Sequence, residues 1–270
     1  MNVQNKTIVV TGGGAGMGRE LVLNLLSKGA KVAAVDINEL ALAETKKLAG
    51  AKADYLSIHL LNITNREAVV KFPEEVIAIH GQVDGLINNA GIIQPFVKVN
   101  DLDYSIIDRV MNVDFYGTLD MTKAFLPHFL QRPEAHIVNV SSMGGLFPVP
   151  GESVYGAAKA GVKLLTEGLQ SELRNTNVNV TLIIPGGIAT DIKFNSGADK
   201  NRKDDEAIQK AVIKPVQPSK AAEIIIDSME NNKQSVLIGT DIKAMNFIYK
   251  ISPKFAKNLI NKQMKAHVPD

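Results

Sequence analysis

Tyr155 and Lys159 stand four residues apart in Tyr155-Gly-Ala-Ala-Lys159, with Ser142 thirteen residues upstream. On a helix, positions i and i+4 share a face, so the lysine ammonium lies one turn from the phenol. A nearby cation favours phenolate and draws a pKa of about 10 toward neutrality. A phenol tuned in this way exchanges a proton with an alcohol or carbonyl oxygen. An ordinary surface helix carries such a pair as well, so its meaning depends on the elements around it.

Those elements read as an α/β chain. With 270 residues, 45% hydrophobic and 21% charged, the sequence suits one large domain. Short β-branched runs alternate with longer helical patterns, the signature of βαβ units in a parallel sheet. Strands are expected at Thr7–Thr11, Lys31–Asp36, Asp54–Leu60, Gly85–Asn88, His136–Ser141, Asn179–Ile184 and Ser235–Ile238. Most are almost wholly apolar, as strands covered by helices on both faces must be. Helices are expected at Met17–Lys28, Glu39–Ala49, Arg66–His80, Tyr104–Gln131, Glu152–Asn175 and Ser219–Asn231. The insertion from Asp191 to Pro218 is polar, then apolar, then marked by Pro215, and fits either a substrate lid or a solvated loop.

Composition narrows the function classes. A net charge of +2 does not point to nucleic acid. The absence of cysteine excludes a disulfide framework and a thiolate metal site. The histidines are scattered without ligand spacing, so no catalytic metal is expected. The first residues show no charged-then-apolar leader, and no apolar run approaches the roughly 20 residues that span a bilayer. A cytoplasmic location is the expectation.

The first strand runs into Thr11-Gly12-Gly-Gly14-Ala-Gly16-Met17-Gly18 and then a helix. In that context a glycine motif indicates a dinucleotide cradle, spaced here GxxxGxG. Gly12 permits the tight turn, Gly16 admits a pyrophosphate, and Gly18 lets helix and strand close; the helix N-terminus supplies free N–H groups. Without GK[ST], a P-loop is disfavoured. Asp36 ends the second strand, where a carboxylate accepts ribose hydroxyls and repels a 2′-phosphate. No base stands at Ala15 or Ile37, so NAD is favoured over NADP. Capping of the next helix by Asp36 is compatible with that role. Asn88-Asn89-Ala90-Gly91 and Pro185-Gly186-Gly-Ile188-Ala-Thr190 follow the fourth and sixth strands, at the carboxyl edge where open α/β sheets bind ligands.

Together these segments resemble the short-chain dehydrogenase/reductase family from Lys6 to about Gly239. The carriers are the glycine loop, Asn88–Gly91, Asn112-Val-Asp, Ser141-Ser142, Tyr155–Lys159 and Pro185–Thr190. The resemblance implies a Rossmann-type, doubly wound, seven-stranded parallel sheet in a single domain, residues 1–242; residues 243–270 lie outside the family's common core and are expected, from their apolar spacing, to form a helical extension. It implies that Tyr155 exchanges the proton, Ser142 holds the substrate oxygen, and Lys159 lowers the phenol pKa and binds the nicotinamide ribose. Asn112 would hold a helix irregularity and a proton-relaying water, while Ile188 and Thr190 meet the carboxamide. Spacing selects Ser142 over Ser141. Where the family usually has an acid against the adenine amino group, this chain has Asn62, whose amide oxygen can accept the same bond, beside the Ile63 backbone. The resemblance also implies a homodimer or homotetramer through the helices at 104–131 and 152–175.

Substrate walls are expected from Ile93, Gln94, Phe96, Leu146, Phe147, Val149, Ile192 and Phe194, which favours a hydrophobic secondary alcohol or ketone of lipid, steroid-like or acyl type. Leu146 and Phe147 suit the core equally well. Glu152 fits either substrate recognition or a helix cap. Beyond residue 242 the tail carries Lys243, Lys250, Lys254, Lys257, Lys262 and Lys265, no acid up to His267, and an apolar stripe interrupted by Pro253. It fits a helix over the pocket, a subunit contact, or a basic amphipathic surface on an anionic membrane. The expected activity is NAD-dependent alcohol dehydrogenase or carbonyl reductase; the rival is a non-catalytic dinucleotide-binding regulator or scaffold.

Overall fold

The computed structural model describes residues 1–190, 192–198 and 215–264. Seven strands form one parallel sheet in the order β3-β2-β1-β4-β5-β6-β7. They are β1 (Thr7–Thr11), β2 (Lys31–Asp36), β3 (Leu56–Leu60), β4 (Gly85–Asn88), β5 (Ala135–Val140), β6 (Val178–Pro185) and β7 (Ser235–Ile238). The central strands are buried along their whole length, which is why their sequences lack alternation. The order reverses between β1 and β4, opening a crevice at their carboxyl ends.

Helices α1 (Gly16–Ser27), α2 (Glu39–Leu48), α3 (Arg66–His80), α4 (Tyr104–Val110), α5 (Thr118–Phe129) and α6 (Ser153–Glu172) are followed by a short α7 (Ile192–Asn195) and by α8 (Pro218–Glu230). Leu21, Val22 and Leu25 of α1 pack with Ile225, Ile226 and Met229 of α8 over one sheet face. On the other face, Phe72 of α3 meets Phe125 of α5 edge-on at 5.8 Å. A hydrophobic layer thus fixes the sheet from both sides, and the strand ends are held rigidly beneath the loops.

Several boundaries shift by one to three residues from the sequence reading, and two departures have a clear local cause. β3 begins at Leu56 because Gly50–Tyr55 forms 3₁₀ turns. The long helix expected over 104–131 is α4 and α5 joined by a π-helical segment, Met111–Gly117. Such wide turns shift the phase of the residues that follow. The tail forms α9 (Thr240–Ile251) and α10 (Pro253–Met264), broken at Ser252 before Pro253. Ile242, Ala256 and Ile260 bury against Phe147, Leu182 and Ile184. Among the described residues no helix is long and apolar enough to cross a membrane. Most of the expected lid over 191–218 lies outside the described residues, as do the side chain of Phe194 and the tail beyond Met264.

Candidate active site

A cavity of about 530 Å³ follows the crevice from the glycine loop to Tyr155. Its walls include Gly12, Gly16, Met17, Gly18, Asp36, Ile37, Asn62 and Ile63 at one end. Asn89, Ala90 and Gly91 line its middle, and Ser142, Tyr155, Lys159, Pro185, Gly186, Ile188 and Thr190 its far end. Gly14 lies just behind this wall, where its N–H donates to Asp36 Oδ2 at 3.0 Å.

The glycine loop is shaped for close approach. Gly12 and Gly16 adopt φ +69° and +51°, which side chains rarely tolerate. A Cβ at Gly18 would come 1.9 Å from the Gly12 carbonyl. Thr11 clamps this loop to the segment after β4: its Oγ1 accepts from the Asn89 and Ala90 N–H groups, both at 3.0 Å, and Asn89 Nδ2 donates to its carbonyl. Asn88 lies beneath, donating to Thr122 Oγ1 and Asn139 Oδ1. Asp36 does not cap α2. That role falls to Asn38, whose Oδ1 accepts from Ala41 N–H, while Asp36 Oδ1 accepts the Asn38 N–H at 3.0 Å. The Asn62 amide oxygen accepts from both the N–H and hydroxyl of Thr64, so its lone pairs serve a local turn.

At the opposite end, α6 turns Tyr155 and Lys159 inward, and both are buried. Ser142, at the mouth of β5, places its hydroxyl beside the phenol, where it acts to lower the Tyr155 pKa, and its Oγ accepts from Gly144 N–H at 3.2 Å. Ser141 faces away and donates to the Lys159 carbonyl at 2.7 Å, tying the helix to the strand. The Lys159 ammonium lies 5.9 Å from the Tyr155 ring centroid, but its closest charge is the Asp114 carboxylate at 3.0 Å. The expected lowering of the phenol pKa is therefore absent. Burial, Asp114 and Glu152 push Tyr155 above the ordinary tyrosine range, against the Ser142 hydroxyl.

Asn112 is not brought to this site. It is exposed, whereas Asp114, two residues on, points inward from the π segment. On a helical backbone two residues correspond to about half a turn, so the two side chains take opposite faces. Three residues, Asp114, Gln94 and Asp241, take roles that the sequence reading did not give them. Gln94, expected as a substrate wall, is fully buried; its Oε1 accepts the Val154 and Tyr155 N–H groups, and its Nε2 donates to the Gly151 carbonyl. It thus caps α6, while Glu152 makes no side-chain cap bond there. Phe147 belongs to the core beneath Tyr249, and Ile93 is also buried. Asp241, in the first turn of α9, accepts the Gly187 N–H at 2.8 Å and so anchors the loop after β6. Of these, only Asp114 left a trace in the sequence: an acid in step with the apolar positions Val110, Gly117 and Met121.

A crevice of this form beside a Ser–Tyr–Lys group defines an oxidoreductase fold and site. The sequence profile described as short chain dehydrogenase matches residues 6–201. The Mycobacterium tuberculosis protein named "Putative oxidoreductase SadH" is 35% identical over 263 residues, covering 95% of this chain and 94% of that protein. The 3-oxoacyl-[acyl-carrier-protein] reductase FabG of Thermotoga maritima is 33% identical over 192 residues, 70% of this chain and 77% of its own length. A Burkholderia phymatum short-chain dehydrogenase/reductase crystallised with NAD superposes with a TM-score of 0.85 at 25% identity, covering 94% of this chain and 96% of its own. A serine dehydrogenase in its closed form with NADP+ gives 0.78 at 28%, covering 86% and 93%. The chain belongs to the short-chain dehydrogenase family of oxidoreductases.

Proposed function

We propose that this protein is an NAD(H)-dependent alcohol dehydrogenase or carbonyl reductase acting on a hydrophobic secondary alcohol or ketone of lipid, steroid-like or acyl type. The observation that carries the reading is the convergence of Ser142, Tyr155 and Lys159 at one end of a crevice whose other end is the glycine loop. The loop fits a dinucleotide: positive-φ glycines leave room for phosphates, and α1 presents its N-terminus to them. When bound, the nicotinamide supplies the hydride chemistry. The protein's part is to orient and to handle one proton. Ser142 holds the substrate oxygen, Tyr155 gives or takes its proton, and Lys159 binds the nicotinamide ribose.

Asp36 supports NAD. Its oxygens face the cleft while held by main-chain donors, and the neighbouring wall residues Ile37, Asn38 and Ala41 carry no charge to receive a 2′-phosphate. Ile188 and Thr190 fit the carboxamide, and the Ile63 backbone fits the adenine. Ile92, Ile188 and Ile192 make the reacting end apolar, and the acyl substrate named for the Thermotoga maritima relative agrees with a substrate of that kind. Exposed Tyr104, Tyr116, Leu130 and Leu164 on or beside α4 to α6 suit a homodimer or homotetramer contact. The outer face of α9 and α10 carries exposed Phe247, Ile251 and Phe255 among lysines, which suits peripheral contact with an anionic membrane.

An alcohol and ketone panel with NAD(H) tests the reading, with Tyr155→Phe as control. Wild type turns over at least one hydrophobic member, and Tyr155→Phe loses about 10²–10⁴-fold in kcat while keeping NAD affinity within a few-fold. NAD binding without turnover on any member would instead favour a non-catalytic regulator or scaffold.

A further inference from the structure

The proton-handling end of the cleft contains a carboxylate that the reading above leaves unused. Asp114 has no solvent exposure. Its Oδ1 accepts from the Lys159 ammonium at 3.0 Å and from the Ile92 N–H at 3.2 Å, and its Oδ2 is buried without a partner. Burying a carboxylate so incompletely bonded is costly unless a counter-charge holds it. The backbone is shaped around the pair: a Cβ at Gly91 would come 2.6 Å from Asp114 Oδ1 and 3.0 Å from Lys159 Nζ. An amide of the same shape would fill this space without the charge.

The charge has a direction of effect. Around Tyr155, its own helix supplies Lys159 and, at the N-cap, Glu152; the π segment supplies Asp114; the turn after β5 supplies only the Ser142 hydroxyl. The apolar cluster around the phenol includes Ile92, Ile93, Val110 and Ala158, and α4 contributes Arg109 to the wall of the same cavity. Burial raises the Asp114 pKa, and Lys159 and the Ile92 N–H act against that rise; the lysine charge that would promote phenolate thus faces a carboxylate in direct contact with it.

We propose that Asp114 is a positioning residue that neutralises Lys159, keeps Tyr155 protonated, and so poises this site to donate a proton in carbonyl reduction. The assignment of direction rests on the function proposed above. In the step it serves, the Tyr155 O–H bond breaks as an O–H bond forms on the substrate oxygen, and the carbonyl carbon is reduced by hydride from the reduced dinucleotide. The phenolate left behind sits beside a pair of no net charge, which favours its reprotonation.

Asp114→Asn tests this by removing charge at nearly constant shape. The first readout needs no turnover: phenolate absorbance in the near ultraviolet is titrated with and without Tyr155→Phe, and the difference isolates Tyr155. Expected is a downward shift of the Tyr155 titration by about 1–2 pH units, with wild type showing no Tyr155 phenolate below about pH 10. The second is the pH profile of alcohol oxidation, whose rising limb moves down by the same amount, raising the oxidation-to-reduction ratio near neutrality about tenfold. A folded Asp114→Asn protein with an unshifted or raised Tyr155 titration overturns the proposal. Should that variant not fold, Asp114→Ser is titrated in the same way and read by the same criterion. A shifted titration in a protein that turns over no substrate would uphold the role of the charge and defeat the function; turnover with no shift would do the reverse.

Discussion

Asp36 and Asp114 stand at opposite ends of one cleft and are held in opposite ways. Asp36 is half-buried, and its two oxygens accept main-chain N–H groups from Gly14 and Asn38. Asp114 is sealed from solvent and meets an ammonium. The first end is built from backbone, with glycines giving the room and a carboxylate fixed by main-chain donors. The second is built from side chains converging from three elements, whose charges offset one another. The contrast separates two tasks: binding depends on where main chain is allowed to approach, and proton transfer on the local balance of charge.

The largest effect is expected where backbone has no slack. Gly18→Ala would place a Cβ 1.9 Å from the Gly12 carbonyl and 2.7 Å from Asn89 Nδ2. The loop must move, so dinucleotide affinity should fall by about 100-fold or more, with stability lowered by the overpacking range of about 1–3 kcal/mol. Calorimetric titration and a thermal melt read the two quantities. Near-native affinity in this variant would remove the loop from the binding site. Asp36→Ala is milder, because it forces no clash and only frees the Gly14 and Asn38 N–H groups that the carboxylate accepts. Losing a charge-assisted bond to a ribose hydroxyl, worth about 1.5–3 kcal/mol, should weaken NAD by about tenfold or more and relax discrimination against NADP. An unchanged ratio of NAD to NADP affinity would break the comparison at its first end.

The same contrast explains what could be read from sequence. The parallel sheet was legible because strands buried on both faces are written as short apolar runs, and Thr7–Thr11, Lys31–Asp36, Gly85–Asn88 and Ser235–Ile238 match the observed strands. The glycine loop and Tyr155–Lys159 were legible because each function sits in a few consecutive residues. Asp114 was not, because the decisive variable is helix phase through the π segment, and neighbouring side-chain types do not record where a wide turn falls. The apolar stripe through Val110, Gly117 and Met121 still carried a usable sign, since an acid in step with it must be buried and must find a cation. Gln94 was hidden for a different reason. Its cap on α6 spans 60 residues of sequence, and a glutamine after a glycine turn reads the same whether it faces a ligand or a helix end.

The tail offers the weakest effect and a comparison within a single pair of helices. Ile242, Ala256 and Ile260 are its packing face, and a Phe147–Tyr249 contact at 5.3 Å joins it to the segment just before α6. Phe247, Ile251 and Phe255 point outward beside exposed Lys243, Lys250 and Lys254, and no acid occurs from Ile242 to Met264. If that outer face lies on an anionic bilayer, wild type should sediment with phosphatidylserine vesicles and not with neutral ones, and added salt should release it, since each lysine near the surface contributes only about 1 kcal/mol. The triple variant Phe247→Ser, Ile251→Ser, Phe255→Ser should reduce the sedimented fraction several-fold while leaving thermal stability and NAD affinity unchanged, because these side chains contribute to neither core nor cleft. Wild type that stays in solution with anionic vesicles would assign the outer face to another contact, and a triple variant that changes oligomeric state would identify that contact as a second copy of the chain.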